Sequence, residues 1–279
     1  MSENSGLEQS PARLAFVSIK WGRHFSPDYV NVLHHHVNRN VSRKHHFICV
    51  TDDAAGLHPA IEAIPLPDLN LSEKRSRLGR WQKLALFKAG LLPDVDVAIY
   101  MDLDTMVLGS LDQLVDHVIG TPGFHILREW NPAVWDIVPV RLRPDRGGQS
   151  SVLGWRPSDQ HQIFDEFVRD PEEVYRQVSN DQGHITRTAE QLRYLPHQFC
   201  VSFKRHCVAH YPLNLIFKTP RKPRRAPIVV FHGRPRPTDL LQAEGVRWGT
   251  KYRFGFEPVG WVQRYWEEGR GRLRDVRKI

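Results

Sequence analysis

From residue 80 to residue 114 the chain reads RWQKLALFKAGLLPDVDVAIYMDLDTMVLGSLDQL, and this segment carries the clearest indication of its architecture. Residues 80–90 have the apolar spacing of a helix that ends at a glycine. An apolar strand pattern follows and ends at two aspartates, Asp102 and Asp104. A helix followed by a buried strand with polar residues at its end is typical of an α/β sheet, whose ligands bind at the carboxyl ends of the strands.

Strand and helix patterns alternate on both sides of this segment. Residues 14–20 form an apolar run of strand length, and a helix pattern follows from Ser26-Pro27. Further predicted strands cover residues 46–51, 60–64, 124–128, 149–155 and 228–232, and a further predicted helix covers residues 158–167. This order predicts an α/β fold, a doubly wound and mostly parallel sheet with helices on both faces, in a single domain.

Composition limits the function classes. The chain has 279 residues, a formal net charge of +8 and 41% hydrophobic residues, which excludes a disordered or fibrous protein. Its apolar runs fall far short of the roughly 20 residues of a membrane-spanning helix. The polar amino terminus does not resemble a secretory signal, and three cysteines do not form a disulfide framework. These features predict a cytoplasmic protein.

The acidic pair predicts a metal site. On a strand, alternate side chains share a face, so Asp102 and Asp104 are expected to project together and Leu103 to point away. Two adjacent carboxylates repel each other unless a cation lies between them, and Mg²⁺ or Mn²⁺ suits such oxygen ligands. These ions usually complete their coordination with substrate phosphates, which implies a diphosphate ligand. Taken alone, Asp-x-Asp at a strand end also fits simple turn chemistry.

A second strand pattern, IVVFHGRPRP from residue 228, delivers His232 and is followed by Gly233, Arg234 and Arg236. Imidazole is a better ligand for Mn²⁺ than for Mg²⁺, so His232 together with the two aspartates favours manganese. Gly233 would let the backbone approach a phosphate closely, and Arg234 or Arg236 would bind phosphate oxygens. Without the aspartates, His232 would be interpreted as a core histidine.

Residues 80–116 resemble the central signature of the glycogenin and bacterial lipopolysaccharide galactosyltransferase group, which has the GT-A nucleotide-sugar fold and is a family 8-like group. That signature is a helix with a Lys, a strand ending in Asp-x-Asp-Thr, and a second Asp in a short helix. The matching residues are Lys83, Asp102, Asp104, Thr105 and Asp112.

Two later segments extend the resemblance. His232, Gly233, Arg236 and Pro237 are similar to the group's His, Gly and Lys-Pro signature, with shorter spacing and Arg in place of Lys. Asn180-Asp181-Gln182 is similar to the Asp-Gln pair that lies near the reacting sugar. Residues 148–154, GQSSVLG, match the group's Asn-x-Gly strand only loosely, because they lack that motif.

The resemblance implies a metal-dependent glycosyltransferase that moves a sugar from a UDP-sugar to an acceptor hydroxyl with retention. It implies Mn²⁺, or Mg²⁺, held by Asp102, Asp104 and His232. The implied catalytic residues are Lys83, Asp181 and Gln182. The residues expected to bind the donor are Ser18, Lys20, Lys83, Asp102, Leu103, Asp104, Gly233 and Arg236.

Ser18 and Lys20 are included because they share one face of the first predicted strand, which should supply the pocket for the nucleotide base. Trp21 and Tyr29 are candidates for stacking on that base, although core packing explains them equally well. The expected domain organisation is a disordered tail over residues 1–12, a catalytic domain over 13–245 and a basic helical extension over 246–279. Residues 132–148 are predicted to be a loop insertion.

Several weaker signals remain. His197, Cys200, His206, Cys207 and His210 carry zinc-type ligand atoms but lack the paired spacing of a structural zinc site. The run of histidines at residues 34–36 is expected to face solvent. The basic segments 73–80 and 221–225 would rim an anionic ligand or form solvated surface, and the basic tail over residues 270–279 would contact an anionic membrane.

Two other function classes stay open. A sugar nucleotidyltransferase would share the α/β core and the acidic site, but the Gly-rich triphosphate loop expected after the first strand is missing. A non-catalytic binder of nucleic acid or of an anionic surface would suit the pI of about 9.6, but no nucleic-acid module is recognised and nucleic acid is not an expected partner. The acceptor, whether a glycan, a lipid-linked sugar or a small molecule, is not specified by the sequence.

Overall fold

The computed structural model describes residues 12–71 and 81–276. The predicted tail over residues 1–12 lies outside the described residues except for Ala12, and so does the basic segment 73–80. The strands of the main sheet are β1 (Leu14–Lys20), β2 (His45–Thr51), β3 (Glu62–Pro65), β4 (Val97–Met101), β6 (Phe124–Arg128), β7 (Gly148–Trp155) and β8 (Leu192–Tyr194).

These seven strands are hydrogen-bonded in the order β3-β2-β1-β4-β7-β6-β8. β7 runs antiparallel to both of its neighbours, and every other neighbouring pair is parallel. The strand order reverses between β1 and β4, which is the topological switch point where ligands of doubly wound sheets bind. The prediction of a mostly parallel α/β sheet in one domain is confirmed.

Shorter strands form two smaller sheets beside the main sheet. A three-stranded sheet contains β5 (Thr105–Val107), β9 (Cys200–Ser202) and β10 (Ile228–Val230), and a hairpin contains β11 (Trp248–Gly249) and β12 (Phe254–Gly255). The α-helices are α1 (Pro27–Asn40), α2 (Asp112–Gly120), α3 (Gln162–Arg169), α4 (Pro171–Gln177), α5 (Asp181–Thr188) and α6 (Gly260–Val276).

Both faces of the main sheet are buried. Along β1 the side chains alternate, so that Leu14 and Phe16 join one apolar core while Ala15, Val17 and Ile19 join a second core. The first core includes residues of α1, α2 and α6, and the second includes residues of α3 and α5. Helices therefore cover both faces, as the sequence predicts.

The region before β4 differs from its prediction. Where an amphipathic α-helix over residues 80–90 was expected, the described part contains a 3-10 helix, Gln82–Phe87, all six residues of which are buried. An amphipathic helix needs one solvated face, and this segment has none. The strands predicted to reach Asp104 and His232 also end earlier, at Met101 and Val230. The helix predicted over residues 158–167 begins at Gln162, after a 3-10 turn.

The expectation that the histidines of α1 face solvent is wrong for two of the three. His34 and His36 are buried. The His36 ring stacks on Tyr265 of α6 with centroids 3.7 Å apart, and His34 packs edge-on against Phe47. The helix does point these side chains in different directions, but α6 covers one side of α1 and β2 covers another.

Helix α6 packs closely on α1. At Gly269 a Cβ atom would lie 2.8 Å from a methyl group of Val32, so the contact requires glycine there. Tyr265 and Trp266 of the same helix are buried in the first core. In the part of the chain that the structure describes, no helix combines the length and the apolar character needed to cross a bilayer.

Candidate active site

A cavity of about 310 Å³ lies where β1 and β4 end, at the switch point of the sheet. Its walls bring together residues that are far apart in sequence. The site residues predicted from the sequence that line it are Lys83, Asp102, Leu103, Asp104, Asp181, Gln182, His232 and Gly233.

The acidic pair lies in a turn. β4 ends at Met101, and the backbone N–H of Thr105 donates to the carbonyl of Asp102 over 3.0 Å. The Thr105 hydroxyl donates to the same carbonyl over 2.7 Å. The pair therefore lies in a turn rather than on a strand, and Leu103 between the two aspartates is buried in the first core while it also borders the cavity. Both carboxylates still face the cavity, because the turn directs them there.

Lys83 lies at the centre of the charged residues. Its Nζ is 2.9 Å from Asp102 Oδ1 and 3.9 Å from Asp181 Oδ2, and it donates to the carbonyl and the hydroxyl of Ser150. Burial alone would lower the pKa of Lys83, but the charges of Asp102 and Asp181 outweigh that effect and raise it. The ammonium group therefore stays charged and holds two carboxylates in place.

Of the carboxyl groups in the cavity, Asp104 has the least nearby positive charge to offset its burial. Burial and the charge of Asp102 raise its pKa well above the usual range, and the more distant Lys83 and Arg236 only partly oppose this. Burial also raises the pKa of Asp181, with Lys83 opposing. A cation near Asp104 would remove the penalty for its ionised form, so the site favours a bound cation.

Helix α5 positions the Asp-Gln pair. Asn180 caps this helix by accepting from the backbone N–H of Gly183 over 2.9 Å, which leaves Asp181 and Gln182 in the first turn. The Gln182 side chain accepts from the backbone of Ser150 over 3.3 Å and donates to Glu129 over 3.4 Å. The cap therefore holds both side chains at the cavity wall.

His232 follows β10. Its Nε2 is 2.7 Å from the Ser202 hydroxyl, and its ring stacks on Trp130 with centroids 5.5 Å apart. Burial, and then the positive charge of Lys204, lower the pKa of His232 to about 4. The imidazole is therefore neutral near pH 7, with one ring nitrogen oriented by Ser202, which is the state of a metal-ligating histidine.

Two of the predicted donor-binding residues lie away from this cavity. Ser18 is fully buried, and Lys20 donates through Nζ to the carbonyl of Asp53 over 2.8 Å. The cavity is lined instead by Ile19, Trp21 and Phe25. Ser18 and Lys20 lie on the opposite face of β1 from Ile19, because alternate side chains point in opposite directions, and their part in donor binding stays a prediction.

Arg236 and Tyr29 also lie outside the cavity lining. The Arg236 guanidinium lies 4.7 Å from the ring centre of Phe25 and donates to the carbonyl of His24, although its charge still lowers the pKa of Asp104. The Tyr29 hydroxyl pairs with Thr238, so core packing explains this residue.

Sequence reasoning missed several residues of the site. The Tyr100 hydroxyl donates to Asp102 Oδ1 over 2.6 Å, and Ser150 bonds Lys83. Tyr100 precedes Asp102 by two residues, which was an available signal, but an aromatic residue in an apolar run is normally interpreted as core. Ser150 and Glu129 come from β7 and from the end of β6, and no local pattern connects either residue to the acidic pair.

Among residues 12–71 and 81–276, no group of three His, Cys, Asp or Glu side chains has a geometry that would hold a metal ion. The His and Cys side chains between residues 197 and 210 fall under the same statement, and burial raises the pKa of the Cys200 and Cys207 thiols. The donor types at the cavity nevertheless fit Mn²⁺. They are the carboxylates of Asp102 and Asp104, of which Asp102 is paired with Lys83, and the neutral imidazole of His232.

Comparisons with known proteins identify solved structures with a similar fold. No family model matches the chain, and no curated protein sequence matches it. The fold resembles that of the galactosyltransferase LgtC, solved in complex with donor and acceptor sugar analogues, with a TM-score of 0.57 and 14% identity over 92% of this chain and 95% of that one.

Two further solved structures are similar. The glycosyltransferase GlyE from Streptococcus pneumoniae TIGR4 matches with a TM-score of 0.55 and 14% identity, over 92% of this chain and 60% of that one. The bifunctional glycosyltransferase WbbM matches with a TM-score of 0.50 and 11% identity, over 82% of this chain and 47% of that one. The predicted GT-A-like fold is confirmed.

Proposed function

From the fold that it shares with these glycosyltransferases, we propose that the chain is itself a glycosyltransferase, which moves a sugar from a UDP-sugar to an acceptor hydroxyl with retention and with Mn²⁺ as its cofactor. One observation carries the proposal. Asp102, Asp104, Lys83, Asp181 and Gln182 face a single cavity at the switch point of the sheet. A fold alone supports many chemistries, and it is this combination of acidic and amide groups that suits transfer from a diphosphate donor.

The cavity has lining of two kinds that would suit the two parts of the donor. Ile19, Trp21 and Phe25 provide apolar surface for the nucleoside, and the turn after β4 provides the carboxylates. Gly233 also lines the cavity, with φ +79°, a conformation that favours glycine, and its backbone would approach the diphosphate without a side chain in between.

Asp102, Asp104 and His232 would hold the metal ion. Mn²⁺, or Mg²⁺ in its place, would supply positive charge against the diphosphate as it leaves. The protein prepares this position with its own residues. Tyr100 and Lys83 fix Asp102, and Ser202 orients the imidazole of His232.

The remaining groups would act on the sugar. In the reaction, the bond from the anomeric carbon to the diphosphate oxygen breaks and a bond to the acceptor oxygen forms on the same face of the ring. The acceptor's hydroxyl proton leaves with the nucleoside diphosphate. Asp181, held by Lys83, would stabilise positive charge at the anomeric carbon, and the Gln182 amide would orient a sugar hydroxyl.

A second cavity, of about 370 Å³, shares His232 with the first and provides room for the acceptor. The hydrogen bond from Gln182 to Glu129 connects the walls of the two cavities. The second cavity has ten lining residues, of which four are basic and one is acidic: Arg146, Lys204, Arg205, Arg253 and Glu129. This lining suits an acceptor with a phosphate or carboxylate group near the accepting hydroxyl.

The test is a calorimetric titration of UDP into the protein, once with Mn²⁺ and once with EDTA, followed by a panel of UDP-sugars. We expect UDP binding that requires the metal ion and release of UDP from one UDP-sugar. Formation of a UDP-sugar from UTP and a sugar phosphate would instead identify a nucleotidyltransferase. Binding to an oligonucleotide that falls steeply with salt, with no response to UDP, would identify a nucleic-acid binder.

A further inference from the structure

Large apolar side chains are exposed on the segment between β9 and β10. Ile216 is 73% exposed, and Leu213, Leu215 and Phe217 are each at least 50% exposed. Tyr252 and Phe256, in and after the β11–β12 hairpin, are exposed as well. We call these residues, together with Tyr211, the 211–217 patch, after the segment that supplies most of them; the patch also includes Tyr252 and Phe256. A continuous apolar surface of this kind normally marks an interaction site.

The residues of the patch form one surface. The backbone N–H of Tyr211 donates to the carbonyl of Tyr252 over 2.9 Å, and the Asn214 side chain donates to the carbonyl of Phe254 over 2.9 Å. The rings of Phe254 and Phe256 lie 5.7 Å apart. The segment and the hairpin are thus joined, and the Tyr211 ring lies 6.3 Å from that of Phe254.

The backbone that carries the patch is tied to the core. The N–H of Arg221 donates to the carbonyl of Cys207 over 2.9 Å, and the indole of the buried Trp261 donates to the carbonyl of Pro220 over 3.0 Å. Lys218 pairs with Glu257 after the hairpin. These bonds hold the segment in place while its apolar side chains stay in solvent.

Basic residues border the patch, and one of them, Lys218, is paired with Glu257. Five lie in the eight residues that follow it, without an acidic residue among them: Lys218, Arg221, Lys222, Arg224 and Arg225. The hairpin adds Arg247, whose guanidinium lies 4.5 Å from the ring centre of Phe254, and Lys251, which lies over Tyr252.

We propose that the 211–217 patch docks the protein on the surface of an anionic membrane leaflet, with its apolar side chains in the interface and the basic residues on the lipid headgroups. Apolar and aromatic side chains bordered by Lys and Arg match the two forces that bind a protein to such a surface. The basic border disfavours a second copy of the chain as the occupant, because like charges would face each other.

Docking has a consequence for the reaction, and this step alone rests on the proposed function. Arg253 lies between Tyr252 and Phe254 of the hairpin, donates to the backbone of Lys204 and Val208, and lines the second cavity. The patch and the acceptor cavity are therefore linked through one side chain. An acceptor attached to a lipid would meet the enzyme at the membrane surface.

Of the predicted basic tail, residues 270–279, the side chains from residue 272 onward lie outside the described ones. Arg270, its first residue, pairs with Asp28 of α1 over 2.6 Å and lies over the Trp266 ring. These contacts use its charge within the fold.

The experiment is co-sedimentation of the full chain with vesicles of phosphatidylcholine alone and of phosphatidylcholine mixed with phosphatidylglycerol. We expect binding to the mixed vesicles that weakens as salt is added. The double variant Ile216→Asp with Phe217→Asp should lose at least about tenfold in partitioning, and so should Arg224→Glu with Arg225→Glu. The variant Ile137→Asp is the matched control, because Ile137 is exposed elsewhere on the surface.

Each variant is also titrated with UDP and Mn²⁺ and melted thermally, to show that the fold and the donor site are intact. Loss of sedimentation with an unchanged melting temperature supports docking through the patch. No binding to mixed vesicles, equal binding to both vesicle types, or binding that survives both double variants would overturn the proposal. Dimerisation of the wild type that disappears in the Ile216 and Phe217 variant would also overturn it, and would make the patch a self-association surface.

Discussion

Asp104 is the residue on which the metal assignment depends most directly. Its carboxyl is buried beside Asp102, which raises its pKa, so the ionised form needs a cation. We expect Asp104→Asn to abolish sugar transfer and the metal-dependent binding of UDP, while the melting temperature without metal stays equal or rises, because a repulsion is removed.

The control is Asp116→Asn, which removes an exposed carboxylate that pairs with Arg43 on the surface. Exposed ion pairs contribute little to stability, so this variant should behave as the wild type does. Near-normal transfer by Asp104→Asn would refute the metal assignment.

Lys204 lines the second cavity and not the first, so its substitution distinguishes the proposed acceptor site from the proposed donor site. It is half-buried in the second cavity, and burial lowers its pKa while Asp104 and Glu129 oppose that shift. An anionic group on the acceptor would therefore gain a charge-assisted hydrogen bond there. We expect Lys204→Met to weaken binding of glucose 6-phosphate or glucuronate about tenfold and to leave UDP binding nearly unchanged, both measured by calorimetry.

The exposed Lys44, which precedes β2 at the opposite edge of the sheet, provides the control Lys44→Met. Unmodified glucose serves as the neutral ligand. If UDP binding falls as much as binding of the anionic sugars, Lys204 belongs to the diphosphate site. If glucose binds as well as the anionic sugars, or none of the three binds, the acceptor does not need an anionic group.

Among the secondary-structure elements, the contact between α1 and α6 can be tested with two glycines. A Cβ at Gly269 would lie 2.8 Å from Val32, whereas nothing lies within 4 Å of one at Gly271. We expect Gly269→Ala to destabilise the protein by about 1 to 3 kcal/mol through overpacking. Gly271→Ala should stabilise it by up to about 1 kcal/mol, because alanine favours the helix.

Urea unfolding of the two variants and the wild type measures both free energies. If the two substitutions change stability by the same amount and sign, α6 does not pack on α1 as described.

The secondary-structure elements show how much of the fold can be predicted from the sequence alone. The strands that became β1, β2, β4, β6 and β7 were predicted because apolar runs bounded by turn residues are a local signal. The 3-10 helix Gln82–Phe87 was mistaken for an α-helix, because its burial on all sides comes from residues distant in sequence. The same limit applied to the site. Motifs located Asp102, Asp104, Asp181 and His232, but Ser150 and Glu129 reach the site only through the order of the strands.

For the molecule as a whole, two buried histidines couple stability to pH. Burial lowers the pKa of His34 and of His36 to about 4, below the ordinary value of 6.5. Between these pH values the unfolded chain therefore binds more protons at these two histidines than the folded chain does. The pair costs no stability above pH 6.5, and it lowers the free energy of unfolding as the pH drops toward 4.

Urea unfolding at a series of pH values should show a slope in which His34 and His36 each account for about one proton taken up on unfolding, beside the contribution of His232, whose pKa is also lowered to about 4. Replacing each histidine by Gln should reduce that slope by one proton. A slope that stays the same in both variants would mean that these histidines are not buried as neutral groups.

Trp130 gives the protein an optical reporter of its candidate active site. This residue is one of eight tryptophans, and its ring stacks on His232 where the two cavities meet. Indole emission responds to the polarity and charge of the group that it touches, so a ligand reaching His232 should change the fluorescence of the unlabelled protein. The part of the signal that Trp130→Phe removes would report when that imidazole is engaged, in real time and without a coupled assay.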